Sequence, residues 1–265
     1  MTPKPIKVHD TLDPARTAAL WATLGLPGDP PGPGAPLPPF FHQIHFWTPQ
    51  PPDKLGRDGH PARGGVIPDM GLPRRMWAGG QLQFHAPLFL GQPATKTTTL
   101  HKAQRKEGRS GPLAFVTLRH DIHQNGALCV IEHQDLVYRA DPTPGSTHAV
   151  PEAPTDETHR EDVQFDSTTL FRYSALTFNG HRIHYDMEYA RDVEGYAGLV
   201  VHGPLLAQHL MLMATRQCGP LAAFDFRLTA PLICGTPATL CAKGNHLWVC
   251  GADGRQCVTA QALAH

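Results

Sequence analysis

The sequence has no surplus of either charge: Lys and Arg total 23, Asp and Glu total 23, and the 265 residues carry a formal net charge of zero with His neutral. Without a basic excess the chain has no general electrostatic grip on nucleic acid or on an anionic membrane surface, so neither is an expected partner. It also lacks the run of roughly 18 apolar residues that a membrane-crossing helix needs. No cationic segment leading into an apolar one opens it, and the expected location is the cytoplasm. Cysteine is sparse: Cys129, Cys218, Cys234, Cys241, Cys250 and Cys257 form no C-x-x-C pair. In a chain of this length an even count does not make a disulfide framework, and these residues read as small core side chains.

Proline (27) and glycine (25) are abundant, while only 17% of residues are charged. With an apolar fraction too high for disorder, that balance predicts long ordered loops around one large domain or two of about 130 residues. Leu12, Ala15, Ala19, Leu20 and Trp21 fall at helical spacing, which predicts a helix from Asp10 to Gly25. Pro27–Pro39 reads as a connector, Phe40–Trp47 (FFHQIHFW) as a strand or short buried turn, and Thr48–Gly80 as a second irregular stretch. From Gln81 the pattern changes to period two. Thr95–Lys106, Leu113–Ile122, Leu128–His133 and Leu136–Arg139 read as strands, with turns at Glu107-Gly108, Ser110-Gly111 and Asn125-Gly126. Asp141–Thr158 reads as a linker between halves.

Beyond the linker lies the most informative stretch, Phe178–Leu206, FNGHRIHYDMEYARDVEGYAGLVVHGPLL. Pro204–Gln217 reads as a helix with Pro in its first turn and apolar residues nearly all round, so it must be buried. Ala222–Leu228, Ala238–Lys243, His246–Cys250 and Gln256–Leu263 complete a second meander. An internal repeat joins the halves: Ala86–Thr95 (APLFLGQPAT) and Ala230–Thr239 (APLICGTPAT) share seven of ten residues at an offset of 144 (230 − 86). That offset sets His184 opposite Phe40 and the buried helix opposite Leu55–Gly80. The expected division is residues 1–145, a half whose central helix is replaced by a loop, and residues 146–265, which carry the site.

Polar groups just ahead of a helix start make a reaction site, because the unpaired N–H groups there favour developing negative charge. His42-x-x-His45 and His181-x-x-His184 have no third carboxylate or thiolate at a fixed spacing, so no metal is expected.

A meander wrapped on one buried helix, then repeated, resembles the hot-dog architecture. Phe178–His184 followed by Val200–Leu205 (VVHGPL) resembles the MaoC-like (R)-specific enoyl-CoA hydratases, whose signature is an Asp-x-Asn-Pro-x-His loop and a later His-Gly. Arg63–Gly65 (RGG), Pro73–Gly80 (PRRMWAGG) and FNGHRIHYD are similar to the double hot-dog subgroup containing mesaconyl-C4-CoA and itaconyl-CoA hydratases, with 3-hydroxyacyl-thioester dehydratases as relatives. The resemblance implies an α+β tandem hot-dog fold and a hydro-lyase acting on an acyl-CoA thioester. It implies no cofactor beyond the CoA of the substrate, and either a monomeric pseudo-dimer or a homodimer. Laid on that signature, His184 takes the catalytic His, His181 the Asn and Asn179 the Asp.

Hydration requires a base for water and donors for the carbonyl oxygen. His184, with an ordinary pKa near ~6.5, suits the base. Asn179 is assigned to hold the water, or alternatively to cap a turn, and the Gly203 N–H is the oxyanion donor. Asp186 is a weaker candidate for the missing carboxylate. Substrate contacts are expected from Arg74, Arg75, Trp77, Arg182, Tyr185 and His202, with Arg172 and Arg191 flanking; an arginine fork suits a phosphate or a distal acyl carboxylate. Two rivals stand beside hydration. One is a thioesterase, disfavoured because Leu205–Gln217 contains no Asp or Glu. The other is a non-catalytic acyl-thioester binding protein.

Overall fold

The computed structural model describes residues 3–62, 65–108, 111–141 and 150–265. Arg63 and Gly64, Ser110, and residues 142–149 with the expected 145/146 boundary lie outside the described residues.

Ten strands form one antiparallel sheet. In the first half these are β1 (Ile6–Thr11), β2 (Arg74–Phe84), β3 (Pro93–Gly108), β4 (Gly111–Gln124) and β5 (Ala127–Arg139). The second half supplies β6 (His159–Gln164), β7 (Leu221–Leu228), β8 (Pro237–Lys243), β9 (His246–Gly251) and β10 (Gln256–Ala264). Their order is β1-β3-β4-β5-β2-β7-β10-β9-β8-β6. From either edge inward the order of elements is therefore the same, and the halves meet at β2 and β7. In that seam Gln81 faces Asp225. Their separation of 144 (225 − 81) equals the repeat offset, so the axis relating the halves passes through this pair.

The helices are α1 (Pro14–Thr23), α2 (Ser167–Thr177) and α3 (Gly203–Cys218). Asp13, rather than Asp10, caps α1 by accepting from the Ala15 N–H at 2.8 Å; Asp10 belongs to β1. Both β1 and β6 escaped the sequence reading because they are mostly exposed edge strands without apolar alternation. α3 is the core element: Leu205, Leu206, Leu210, Met211 and Met213 are buried against β7, β9 and β10. Burial of such side chains stabilises by about 1.5–3 kcal/mol each, which outweighs the poor amphipathicity of the helix.

The backbone shows what became of the other central helix. Leu37 N–H bonds Leu88 O at 2.7 Å, and Val201 N–H bonds Leu232 O at 2.8 Å; Leu88 and Leu232 again differ by 144. Val201 leads directly into α3, whereas Leu37 leads into Pro38-Pro39 and a 3-10 turn, Phe41–Ile44. The structural counterpart of the α3 start, Gly203, is thus Pro39, which corrects the alignment against Leu55–Gly80: the repeat offset fails wherever the halves differ in insertion. Phe40 and Phe46 bracket that turn at φ 69° and 61°. These left-handed conformations cost about 1–3 kcal/mol each and are held by burial of both rings.

A buried polar group fixes the turn to the sheet. His42 Nε2 lies 3.0 Å from Glu132 Oε2, and Gln43 Nε2 donates to both Glu132 oxygens at 2.8 Å. Burial alone would raise the Glu132 pKa, but the bond and charge of His42, with His120 and Lys96, hold it at about 2. A depressed carboxylate contributes stability above its ordinary pKa of 4.5 and loses it as pH falls toward about 2. Glu132→Gln is expected to cost about 1–3 kcal/mol at pH 7, because two buried donors then face an amide. In urea denaturation the gap from wild type should close between pH 5 and 2.5; a pH-independent gap would refute the charge argument.

Candidate active site

The second half positions its site with local signals. Asp166 caps α2 by accepting from the Thr169 N–H at 2.7 Å, and α2 ends at Phe178 in the left-handed region, φ 51°. The chain then turns on Asn179, whose Oδ1 accepts from the His181 N–H at 3.0 Å, an Asx turn. A 3-10 turn, Arg182–His184, delivers the His184 ring.

His184 is held on two sides. Its Nδ1–H donates to the Val200 carbonyl at 2.7 Å, and its ring stacks on His202 with centroids 3.6 Å apart and planes at 19°. A carbonyl can only accept, so Nδ1 carries the hydrogen and Nε2 keeps its lone pair. Burial lowers the His184 pKa to about 4, although the Val200 bond opposes the shift. The ring is neutral at pH 7, the form in which it removes a proton from water. His202 is fully buried beneath it, with Nε2 2.8 Å from Ser174 Oγ.

One residue beyond His202, α3 begins. Leu205 and Leu206 N–H both bond His202 O, at 3.0 and 3.2 Å, and Pro204 has no N–H. The Gly203 amide is therefore the first-turn donor with no bond among the described residues. A Cβ there would come 2.0 Å from Leu228 Cδ1, so a larger residue would require that side chain to shift.

The first half reaches into this site. From its long loop, the Asp58 carbonyl accepts the Arg182 N–H at 2.9 Å, and Arg182 Nη1 donates to Arg57 O at 3.2 Å. Gly59, at φ +84°, presses against Gly180 so closely that a Cβ would meet Gly180 O at 2.0 Å. The Asp58 carboxylate accepts from the His60 backbone N–H and from His60 Nδ1–H, both at 3.0 Å. Desolvation would raise the Asp58 pKa, but the His60 hydrogen bond and charge, with Arg75, hold it well below the usual carboxylate range. The His60 ring lies 4.7 Å from His181, and His181 lies 5.5 Å from His184. Burial, then the neighbouring His60 and His184, push the His181 pKa down to about 2.

Of the expected residues, His184, Asn179, Gly203 and His202 fall together, and Arg75 adds its positive charge beside Asp58, His60 and His181. Others are spent elsewhere. Arg74 is buried, with Nε 2.5 Å from Glu194 Oε2, so its fork is occupied. Arg182 pairs with Asp186 at 2.7 Å and lies over the Tyr189 ring; this also removes Asp186 as a catalytic carboxylate. Tyr185 is half exposed and its hydroxyl donates to Gly180 O at 2.9 Å. Trp77 packs in the core with Nε1–H donating to Gly79 O at 2.8 Å. His202 acts beneath His184 rather than toward a ligand. Asp58 and His60 were missed: their only trace is an Asp-Gly-His string in an aperiodic loop.

Asp58, His60 and His181 also offer three donor atoms within 4.8 Å of one another. The Asp58 carboxylate is already engaged by His60, and the Arg75 charge opposes a cation there.

A duplicated sheet on one buried helix, with an imidazole and a free amide at the helix start, defines a double hot-dog protein. Residues 40–234 match the family model described as Hydroxyacyl-thioester dehydratase type 2. The chain belongs to that family. It is 44% identical to mesaconyl-C(4)-CoA hydratase of Chloroflexus aurantiacus over 261 residues, covering 96% of this chain and 93% of the relative. The solved structure of HtdX from Mycobacterium tuberculosis aligns with a TM-score of 0.69 at 19% identity, covering 99% of this chain and all of that one. A second protein from that organism, described as having a double hotdog fold, aligns with a TM-score of 0.61 at 13% identity, covering 99% of this chain and 95% of that one.

Proposed function

We propose that this protein is a hydro-lyase that adds water reversibly across the double bond of an enoyl-CoA, with C5 dicarboxylic acyl groups of the mesaconyl type as substrates. The carrying observation is His184: neutral, fixed through Nδ1, and stacked at the start of α3 with Nε2 free. The kinship to mesaconyl-C(4)-CoA hydratase supports the substrate class. In this reading Nε2 takes a proton from water as the oxygen bonds to the β-carbon. Charge moving onto the thioester oxygen is met by the Gly203 N–H and the positive end of α3. Asn179 holds the turn through Oδ1 and keeps its amide N–H groups and a second Oδ1 lone pair for the site. The reaction needs no cofactor beyond the CoA of the substrate.

Absorbance of the conjugated thioester, followed together with free thiol, tests the reading. Loss of conjugation without thiol supports hydration; thiol release indicates a thioesterase, and neither indicates a binding protein. Arg75 is assigned to the distal carboxylate, since Arg74 is paired. A charged hydrogen bond of this kind contributes about 1.5–3 kcal/mol, or roughly 10–100-fold. Arg75→Gln is expected to raise KM by that factor for mesaconyl-C4-CoA and by much less for crotonyl-CoA. Equal rises would move Arg75 to the CoA moiety.

A further inference from the structure

Hydration places one proton on the α-carbon as well as one hydroxyl on the β-carbon. In the signature that this chain resembles, an Asp shares that work with the His, but here the position is Asn179, and an amide does not exchange protons near neutral pH. Asp58 holds His60 through Nδ1 at 3.0 Å, and backbone contacts from Asp58 and Gly59 to Arg182 and Gly180 dock this pair against the catalytic turn.

The four imidazoles form a ladder with a gradient of exposure. His202, His184 and His181 are buried, and His60 is partly exposed. Successive ring centroids are 3.6, 5.5 and 4.7 Å apart. The Asp58 carboxylate sits at the His60 end, where its hydrogen bond and charge oppose the burial that lowers the His60 pKa.

We propose that His60, oriented by Asp58, is the second acid–base group of the site: it delivers and removes the proton of the α-carbon. The inference rests on the hydratase reading. In the hydration direction the water oxygen bonds to the β-carbon and its proton goes to His184 Nε2. The double-bond electron pair moves into the enolate of the thioester. The enolate closes back to the thioester as its α-carbon takes the Nε2 proton of His60, which enters the step as the imidazolium against the Asp58 carboxylate; His184 then releases its proton to solvent and His60 takes one up. One water is consumed and nothing else.

The test is dehydration of 3-hydroxybutyryl-CoA, with and without deuterium at the α-carbon, by wild type, His60→Gln and Asp58→Asn. Thermal melts confirm folding. His60→Gln should lower kcat at least a hundredfold with KM within threefold. Asp58→Asn, where the imidazole remains but is misoriented, should lower kcat about tenfold, with a larger α-deuterium isotope effect than wild type. Retention of more than a third of kcat in His60→Gln overturns the proposal alone, as does an unchanged isotope effect in Asp58→Asn. Wild-type activity abolished by EDTA and restored by zinc would assign Asp58, His60 and His181 to a metal and overturn it too. If wild type turns over neither this substrate nor mesaconyl-C4-CoA, the hydratase reading falls, and the proposal with it.

Discussion

His184→Gln is expected to reduce hydration of enoyl-CoA by about 10²–10⁴-fold, the range over which a positioned base acts, while the melting transition moves little. The separation of these effects follows from the ring's two roles. Its Nδ1–H bond to Val200 and its stack on His202 are structural. Glutamine keeps a donor and much of the volume, so those contacts are largely preserved. Only the Nε2 lone pair is lost. Because burial holds the imidazole at about 4, the base form dominates throughout the neutral range. Wild-type kcat should therefore show no rise attributable to His184 between pH 6 and 8, and should fall on the acid side as pH approaches 4. A variant keeping more than a tenth of wild-type activity, measured by loss of conjugation, would remove His184 as the base.

Arg74→Met is expected to destabilise the protein by about 3–5 kcal/mol, the cost of leaving a buried charge without its partner. Glu194 is the charge in question. Its side chain is 3% exposed, and apart from Arg74 its carboxylate accepts, among the described residues, only from the Tyr189 hydroxyl, at 3.2 Å. The Arg74 guanidinium also donates to the Glu194 carbonyl at 3.2 Å, so one side chain ties β2 to the π-helical turn Tyr189–Val193 and its end. Replacing both charges, Arg74→Met with Glu194→Leu, should recover most of the loss, because buried ion pairs exchange well for apolar residues of similar volume. Chemical denaturation of the two variants settles it: an equal loss in both would place the effect in packing. The contrast with Arg75 is the useful control, since that arginine should change KM and leave stability near wild type.

The elements legible in the sequence were those whose own periodicity carried the signal. The strands from Gln81 onward alternate, the α3 segment is apolar all round behind Gly203-Pro204, and the repeat at Ala86 and Ala230 marks the duplication. Asn125-Gly126 adopts φ 51° and 80°, as its turn chemistry required. What stayed hidden was tertiary. β1 and β6 are exposed edges, α2 is a weakly patterned helix, and β2 begins at Arg74, before its alternation starts. At the site, the Phe178–His184 string was visible because its residues are contiguous. Asp58 and His60 lie more than a hundred residues earlier in the chain, and no local pattern pairs a loop residue with a ring across the halves. Arg74 and Arg75 are adjacent in sequence, yet one is buried against Glu194 and the other adds charge to the histidines, a distinction that only register and packing create.

The seam between β2 and β7 gives the duplication an asymmetric outcome. Had two identical chains met there, each would carry its own helix and each would need its own reactive pocket. Within one chain the copies differ: one carries the helix and the His184 imidazole, and the other has a 3-10 turn at the corresponding place and sends a strap across to its neighbour. The proposed reaction then has a single centre per ten strands, assembled from groups on either side of the dyad. If His60 acts as proposed, neither copy expressed by itself contains a complete centre, and any lineage that separates them must first rebuild what the strap supplies.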